Sequence, residues 1–302
     1  MTQFKHTVTK EDEGMEVRDI MRKYFDFSSR LRNKIKRNKL VSLNDQQAEG
    51  WYSVSEGDVI TIDLPDEKSD FPPQNIPLFP VYEDEDMLIL NKQPGLIVHP
   101  TKGHPVNTVA NALMYYMDQK GESWKIRFVN RLDMDTSGLL VVAKNAYCQN
   151  EYTIQSKNNL VKKTYTAIVR GTVEADCGTI DLPIGRPDPV DVRRGVMENG
   201  SPSVTHYRVL ERFEKYNYTL VELLLETGRT HQIRVHMSHI GHPVLGDHLY
   251  GGENVNLIER QALHASRLSF THPITKEPLE FEAPLPDDML KATDYLRNGF
   301  TL

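Results

Sequence analysis

The strongest local constraint on the fold is an uninterrupted apolar run, Leu139 to Ala143, that directly follows a polar cluster. A short apolar run of this kind is typical of a buried strand. The cluster before it, residues 130–138, reads NRLDMDTSG and sets a carboxylate beside an arginine. The stretch therefore indicates either a catalytic loop that leads into a core strand or an ordinary turn whose polar groups are satisfied locally.

A segment rich in proline and charged residues predicts two domains. Residues 65–80 read PDEKSDFPPQNIPLFP, and the paired prolines can continue neither a helix nor a strand. We therefore expect a linker at 65–80, a small domain at 14–64 before it, and a larger domain at 81–302 after it. Residues 1–13 are polar and are expected to form a flexible N-terminus.

Composition and motifs argue against several classes of protein. No apolar run approaches the length of about 20 residues that crosses a bilayer, and the N-terminus lacks the apolar core of a signal peptide. We therefore expect a cytoplasmic protein that has no contact with membranes. The two cysteines show no CxxC spacing, the histidines at 231–242 form no HExxH pattern, and no GxGxxG or GxxxxGK segment occurs. We accordingly expect no metal site and no dinucleotide or nucleoside triphosphate site.

The small domain is predicted to present a basic helix. Two short helices, at about residues 16–25 and from Ser28 or Ser29 onward, are followed by short strands that end at residues 57–63. Residues 17–40 contain nine Lys or Arg and two Asp, a local charge of +7 in a chain whose net charge is -6. The pattern resembles the S4 RNA-binding domain, although it would also suit a solvated helix. Such a face neutralises phosphates without reading sequence. The residues expected to contact RNA are Arg30, Arg32, Lys34, Lys36 and Arg37.

The larger domain is predicted to be an α+β domain with a mixed, largely antiparallel sheet. Strand patterns outnumber helix patterns, and no regular βαβ alternation appears. Residues 108–119, 146–157 and 286–296 read as helices, and residues 163–171 alternate as a strand. Residues 228–241 are expected to turn from a strand end into a helix.

Five separated segments of this domain resemble motifs of the RluA-type pseudouridine synthases. They are LNKQPGLIVHP, NRLDMDTSGLLVVAK, KKTYTAIVRG, ETGRTHQIRVHMSHIGHPVLGDHLYG and LHASRLSF, in that order. With an S4-like domain in front, the chain is most similar to the branch of the RluD and RluC kind. The resemblance implies the pseudouridine synthase fold and the isomerisation of uridine in RNA without a metal or an organic cofactor. Two departures are Gln93, which separates Lys92 from Pro94, and Asn130, where the family commonly has histidine.

The resemblance also implies the residues of the active site. Asp133 matches the catalytic aspartate, Arg234 the basic residue that pairs with it, and Tyr165 the active-site tyrosine. An aspartate shielded from water tends to take up a proton, and a neighbouring cation favours its ionised form. Whether Asp133 attacks C1′ of the ribose or first removes the C2′ proton stays open. The residues expected to bind the substrate are Arg131, Asn130, Thr136 and Gln232.

RNA is the expected partner, and the S4-like front favours ribosomal RNA over transfer RNA. We expect a monomer. The alternative is an RNA-binding ribosome-assembly factor that needs no catalysis. An aspartic protease is suggested by residues 135–138, DTSG, but that class needs two such carboxylates, and no second D-[ST]-G occurs.

Overall fold

The N-terminal part of the chain folds around a small antiparallel sheet. The computed structural model describes residues 2–65, 67–188, 190–252 and 257–299. The elements of this part are β1 (Gln3–Thr7), α1 (Val17–Tyr24), α2 (Ser29–Arg37), β2 (Val41–Leu43), β3 (Gln46–Gln47) and β4 (Val59–Asp63). The four strands are ordered β1-β4-β2-β3. Helix α2 begins as predicted, because the Ser28 hydroxyl accepts a hydrogen bond from the N–H of Leu31 at 3.3 Å.

Residues 2–13, part of the segment predicted to be flexible, contain a strand and a short helical turn. Strand β1 pairs with β4 along its whole length. The ring of Phe4 packs edge-on against Phe27 with centroids 5.2 Å apart. Asp12 is fully buried and accepts a hydrogen bond from the ammonium of Lys23 at 2.8 Å. The polar composition of this segment concealed a strand because alternate side chains of β1 remain exposed at the sheet edge.

The larger domain is built on a second sheet that contains ten strands. Its order is β10-β13-β14-β9-β15-β8-β6-β5, with β16 beside β15 and β7 beside β8, while β11 and β12 form a separate pair. All pairs in the large sheet are antiparallel except β8 and β15. The predicted mixed, largely antiparallel α+β fold is confirmed. The elements are β5 (Pro80–Glu83), β6 (Met87–Lys92), α3 (Val109–Lys120), β7 (Arg127–Phe128), β8 (Ser137–Ala143), α4 (Ala146–Lys157), β9 (Lys162–Arg170), β10 (Cys177–Asp181), β11 (Ile184–Gly185), β12 (Gly195–Val196), β13 (Val204–Phe213), β14 (Tyr218–Leu225), α5 (Gln232–His239), β15 (Leu263–Thr271), β16 (Pro278–Glu282) and α6 (Asp287–Asn298).

The apolar run in β8 is explained by cores on both faces of the sheet. Every residue of β8 is buried. Leu140 and Val142 point into the core that contains α3, whereas Leu139 and Val141 point into the core that contains α4 and the small domain. Since neighbouring side chains of a strand point to opposite faces, a strand covered on both sides must be apolar at every position.

The small domain packs directly on the larger one. Phe27 contacts Tyr147 of α4 edge-on at 5.6 Å, and the Thr2 hydroxyl donates to Asp86 at 2.8 Å. Residues 67–79 contain no helix or strand and lie against the larger domain, where the amide of Asn111 donates to the carbonyl of Pro72 at 2.9 Å. Within the described ranges, no helix has the length and apolarity needed to cross a membrane.

Candidate active site

Asp133 lies in the loop between β7 and β8. Lys92 fixes the backbone of this loop by a hydrogen bond. The N–H of Thr136 donates to the carbonyl of Asp133 at 3.1 Å, which closes a tight turn. The ammonium of Lys92, only 2% exposed, donates to the carbonyl of Met134 at 2.8 Å and also to two carbonyls of its own turn, at 2.8 and 2.9 Å. Burial lowers the pKa of Lys92 to about 7. The backbone beside the carboxylate is therefore fixed by a buried amino group.

Asn130 anchors the start of the same loop to β8. Its amide donates to the carbonyl of Leu139 at 3.2 Å and accepts from the N–H of Val141 at 2.7 Å. An asparagine thus forms both bonds without any need for a titrating ring. Asn130 therefore anchors the loop to the backbone of β8, and its predicted contact with substrate stays a prediction.

The end of the loop requires a glycine. Gly138 has a φ of +109°, and a Cβ there would stand 2.3 Å from the carbonyl oxygen of Ala265. Only a residue without a side chain allows β15 to approach β8 so closely. This parallel contact brings strands from distant parts of the chain together beneath Asp133.

Arg234 pairs with Asp133, as the sequence predicted. It lies in the first turn of α5, and its Nη1 donates to Oδ2 of Asp133 at 3.0 Å. Its Nε and Nη2 donate to both carboxylate oxygens of Asp247 at 2.6 and 2.9 Å. Burial opposes the charge, but the two carboxylates outweigh it and raise the pKa of the Arg234 guanidinium. The arginine is therefore a fixed cation beside a half-buried carboxylate.

Asp247, the second partner of Arg234, was not predicted from the sequence. This residue is fully buried and also accepts hydrogen bonds from the N–H groups of Leu249 and Tyr250, at 3.0 and 3.2 Å. It stands in the loop GDHLYGG, where a Cβ on Gly252 would come within 1.7 Å of the carbonyl oxygen of Val244. The sequence did contain a signal for Asp247. It is an acidic residue in a glycine-rich turn, and it follows Arg234, a buried cation that needs a counter-ion.

Tyr165 separates two cavities. It stands on β9 opposite Leu223, is 8% exposed, and lines both spaces. The cavity at Asp133 and Arg234 measures about 60 Å³, which holds only a few waters, and the adjoining cavity measures about 600 Å³. Burial raises the pKa of the Tyr165 hydroxyl. The space beside Asp133 is thus smaller than a nucleoside, and a larger space adjoins it at Tyr165.

The remaining residues predicted to bind the substrate divide into two groups. Arg131 is exposed, lines both cavities, and forms no hydrogen bond or ion pair with any described residue. Thr136 and Gln232 border the small cavity but are each only 2% exposed. The amide of Gln232 accepts two hydrogen bonds and donates two within the protein. The hydrogen-bonding positions of Gln232 are thus filled within the protein, and its predicted contact with substrate stays a prediction.

The basic helix α2 is only partly free to meet RNA. Arg30, Lys36 and Arg37 are exposed. Arg32 donates to the carbonyl of Phe27. Lys34 forms an ion pair at 2.6 Å with Glu67 in the segment that joins the two domains. Two of the five predicted RNA contacts are thus engaged in holding the fold.

A cluster of possible metal ligands lies at the domain junction. Among the described residues, ligand atoms of Asp84, Asp86 and His272 lie within 4.8 Å of one another. Nδ1 of His272 accepts from the N–H groups of Ile274 and Thr275 at 3.2 and 3.0 Å, so the proton of the neutral ring is on Nε2. That nitrogen stands 3.0 Å from Asp84. The arrangement is that of a buried histidine and aspartate pair, since a protonated nitrogen cannot ligate a metal.

Comparisons with known proteins agree on one family. The family described as RNA pseudouridylate synthase matches residues 86–239. An uncharacterised RNA pseudouridine synthase of Bacillus subtilis (strain 168) is 44% identical over 86% of this chain and 86% of its own length. The ribosomal large subunit pseudouridine synthase D of Vibrio cholerae serotype O1 is 42% identical over 92% of this chain and 90% of its own. The structure of human RNA pseudouridylate synthase domain containing 1 covers 75% of this chain and 97% of its own, with 30% identity and a TM-score of 0.57.

Proposed function

The chain belongs to the RNA pseudouridylate synthase family, enzymes that isomerise uridine in RNA, and we propose that its substrate is ribosomal RNA of the large subunit. We further propose that Asp133 is the carboxylate that acts on the ribose. The observation that carries this assignment is the contact of Asp133 with Arg234, 3.0 Å long, at a cavity that Tyr165 also lines.

The reaction makes a limited demand on the protein. The bond from N1 of uracil to C1′ breaks, the base turns in place, a bond from C5 to C1′ forms, and the C5 proton is exchanged for one at N1. Atoms and electrons balance within the nucleoside. What the protein must supply is a correctly placed carboxylate, shielded from water and kept ionised. The hydrogen bond from Arg234 supports this placement of Asp133, whether the carboxylate attacks C1′ or removes the C2′ proton.

The cavities support entry of a flipped nucleotide. A base inside folded RNA must leave its stack, which costs a few kcal/mol. The space beside Asp133 is too small to receive a nucleoside, but it adjoins the cavity of about 600 Å³ across Tyr165. We assign to Arg131, which is exposed between these spaces, a contact with the RNA as the base enters.

Tyr165 is assigned to the uracil ring. Its ring borders both cavities, and aromatic side chains stack on flipped bases. Because burial raises the pKa of its hydroxyl, this group keeps its proton at neutral pH. It can accept the C5 proton late in the reaction only if it passes its own proton on. Packing against the base is therefore its first role.

The choice of ribosomal RNA rests on the relatives and on α2. Relatives named as ribosomal large subunit synthases match along about nine-tenths of the chain. The exposed Arg30, Lys36 and Arg37 suit a partner with a continuous phosphate backbone.

The test is release of tritium from RNA that carries 5-tritiated uridine. Unmodified large-subunit ribosomal RNA and transfer RNA are compared with the wild-type protein and with Asp133→Asn, while filter binding follows RNA affinity. We expect release from ribosomal RNA that is lost in Asp133→Asn although binding persists, and most activity retained in Asp135→Asn. Release from transfer RNA alone would overturn the substrate assignment, and full activity of Asp133→Asn would overturn the role of the carboxylate.

A further inference from the structure

His231 stands beside Asp133 in a constrained backbone conformation. It precedes α5 with a φ of +58°, in the left-handed region that non-glycine residues seldom adopt. Its Nε2 lies 3.8 Å from Oδ2 of Asp133, and its ring lines the small cavity. Strained backbone of this kind is found where a side chain is held for a function. The function proposed above leaves this ring without a role.

Tyr250 determines which nitrogen of His231 carries the proton. The hydroxyl of Tyr250 accepts a hydrogen bond from the N–H of Arg194 at 2.8 Å and lies 2.8 Å from Nδ1 of His231. No other acceptor for its proton is found in the part of the chain that the structure describes. We therefore assign the hydroxyl as the donor to Nδ1, which places the proton of the neutral imidazole on Nε2.

The surroundings of His231 keep this tautomer in place. Arg234 stacks over the ring of Tyr250 at 5.1 Å, so the tyrosine that orients the histidine is itself held by the arginine that pairs with Asp133. Burial lowers the pKa of His231; Arg234 and Arg194 act in the same direction, whereas Asp133 and Asp247 oppose them. If the His231 ring is neutral, the negative charge of Asp133 is compensated by Arg234 and not by His231.

The N–H at Nε2 is available to a ligand. At 3.8 Å it is too far from Asp133 for a hydrogen bond. A reacting carboxylate oxygen must come within about 3–3.5 Å of its target carbon. Because Nε2 of His231 lies close to the carboxylate of Asp133, its N–H can reach an atom bonded beside the target carbon of the nucleoside.

We propose that His231 donates a hydrogen bond from Nε2 to an oxygen of the target nucleoside next to C1′, either O2 of uracil or the 2′-hydroxyl, and so positions C1′ against Asp133. Tyr250 is the positioning residue that fixes the tautomer. The inference rests on the proposed role of Asp133, but it does not depend on which RNA is modified.

Two substitutions of His231 separate this role from a structural one. In His231→Gln the amide nitrogen falls near the place of Nε2, whereas in His231→Asn it falls near Nδ1. Asparagine adopts the left-handed conformation more readily than glutamine. A purely structural role therefore predicts that Asn is the better replacement. We expect the reverse: kcat/KM falls about tenfold or more in His231→Asn and His231→Ala and is largely retained in His231→Gln.

Modified RNA identifies the oxygen that accepts the bond. The target uridine is replaced by 2-thiouridine, whose sulfur is a weak acceptor, or by 2′-deoxyuridine. The effect of His231→Ala is expected to disappear on one of these substrates and to persist on the other. Tyr250→Phe should lower kcat/KM less than His231→Ala does, and its effect should disappear on the same substrate.

Controls distinguish failure of this inference from failure of the proposed function. Inactive wild-type protein or active Asp133→Asn on the same RNA would count against the function, not against His231. Thermal unfolding confirms that each variant is folded, and should His231→Ala not fold, the comparison of Gln with Asn still decides. Higher activity of His231→Asn than of His231→Gln, or an unchanged effect of substitution on both modified RNAs, would overturn the proposal.

Discussion

Arg234 and Asp247 form a buried bidentate pair in which Nε and Nη2 of the arginine donate to separate carboxylate oxygens at 2.6 and 2.9 Å. The guanidinium plane is fixed by these bonds, so that Nη1 alone extends to Asp133. The orientation of the cation that pairs with Asp133 is thus determined by Asp247, which lines neither cavity.

Asp247→Asn is expected to lower activity and stability together. Removing one partner of a buried ion pair costs about 3–5 kcal/mol because the other charge is left uncompensated. With Arg234 free to turn, we expect tritium release to fall at least about tenfold, equivalent to about 1.4 kcal/mol in the barrier. Urea unfolding and the release assay measure the two effects.

A surface pair provides the control for Asp247. Asp176 lies 2.7 Å from Arg212, and its side chain is 86% exposed. Asp176→Asn should change the free energy of unfolding by less than about 1 kcal/mol and leave activity unchanged. Equal activity in both variants would show that Asp247 does not orient Arg234.

The difference between Arg234 and Asp247 also shows what sequence could reveal. The resemblance implied roles for Asp133, Arg234 and Tyr165, so their meeting could be expected, whereas it implied no role for Asp247, although this residue stands in the same motif as Arg234. Asp247 lies 13 positions beyond Arg234 on a separate loop, and their contact depends on how α5 and that loop fold back together. Pairing across sequence separation is a property of tertiary packing, which local patterns do not contain.

The strands of the fold differ in how clearly the sequence predicts them. The run in β8 predicted a buried strand because a short, continuous apolar segment is typical of a strand covered on both faces. Strand β1 was missed because an edge strand in a polar segment keeps alternate residues exposed and gives little apolar signal. The ion pair between Lys34 and Glu67 could not be predicted either, because a count of charges does not show which cations are already paired.

Lys92→Met is expected to remove a pH dependence of stability. The ordinary lysine pKa of 10.5 is lowered to about 7 in the folded chain by burial, so the unfolded chain binds more protons between these values. The free energy of unfolding of the wild type should therefore gain a contribution that rises with pH from about 7 to about 10. This rise should be absent in Lys92→Met and present in Lys291→Met, whose lysine is exposed on α6. Urea unfolding at several pH values measures it, and identical slopes for all three proteins would contradict the prediction.

Activity of Lys92→Met should also decrease at neutral pH. The carbonyl of Met134, next to Asp133, loses its donor at 2.8 Å, and the loop loses its anchor. A typical hydrogen bond contributes about 0.5–1.5 kcal/mol, and without it the loop is freer to move. Tritium release by folded Lys92→Met, compared with that of Lys291→Met, checks this result.

Replacing basic residues of α2 should weaken RNA binding, and the effect should be larger for the exposed residues than for Lys34. Each phosphate contact contributes a slope of about 0.9 or less to the dependence of log K on log salt. The triple variant of Arg30, Lys36 and Arg37 to Gln should reduce this slope by about 2–3 units if each contacts a phosphate. Lys34→Gln, in the same helix but paired with Glu67 at 2.6 Å, should change it less than any one of them. Filter binding over a range of salt concentrations provides the measurement, and an unchanged slope in the triple variant would show a solvated surface without RNA contacts.

Lys163 is expected to contact the RNA beside the target nucleotide. It lies two residues before Tyr165 on β9, so both side chains point to the same face of the sheet. Its ammonium stands against Gly228 on the wall of the larger cavity, and no described residue bonds to it. Burial lowers the pKa of Lys163, and a phosphate at this place would favour the charged form again.

Lys163→Met should therefore raise KM more than it lowers kcat. Loss of one charge-assisted hydrogen bond corresponds to about 1.5–3 kcal/mol, or a rise of roughly tenfold to a hundredfold in KM. The salt dependence of binding should weaken by about one unit. Lys163→Arg retains the charge and should preserve most of the affinity. Lys162, the exposed neighbour on the opposite face, provides the matched control, because Lys162→Met removes the same charge without touching the cavity. If the two methionine variants bind RNA equally well at every salt concentration, Lys163 holds no phosphate.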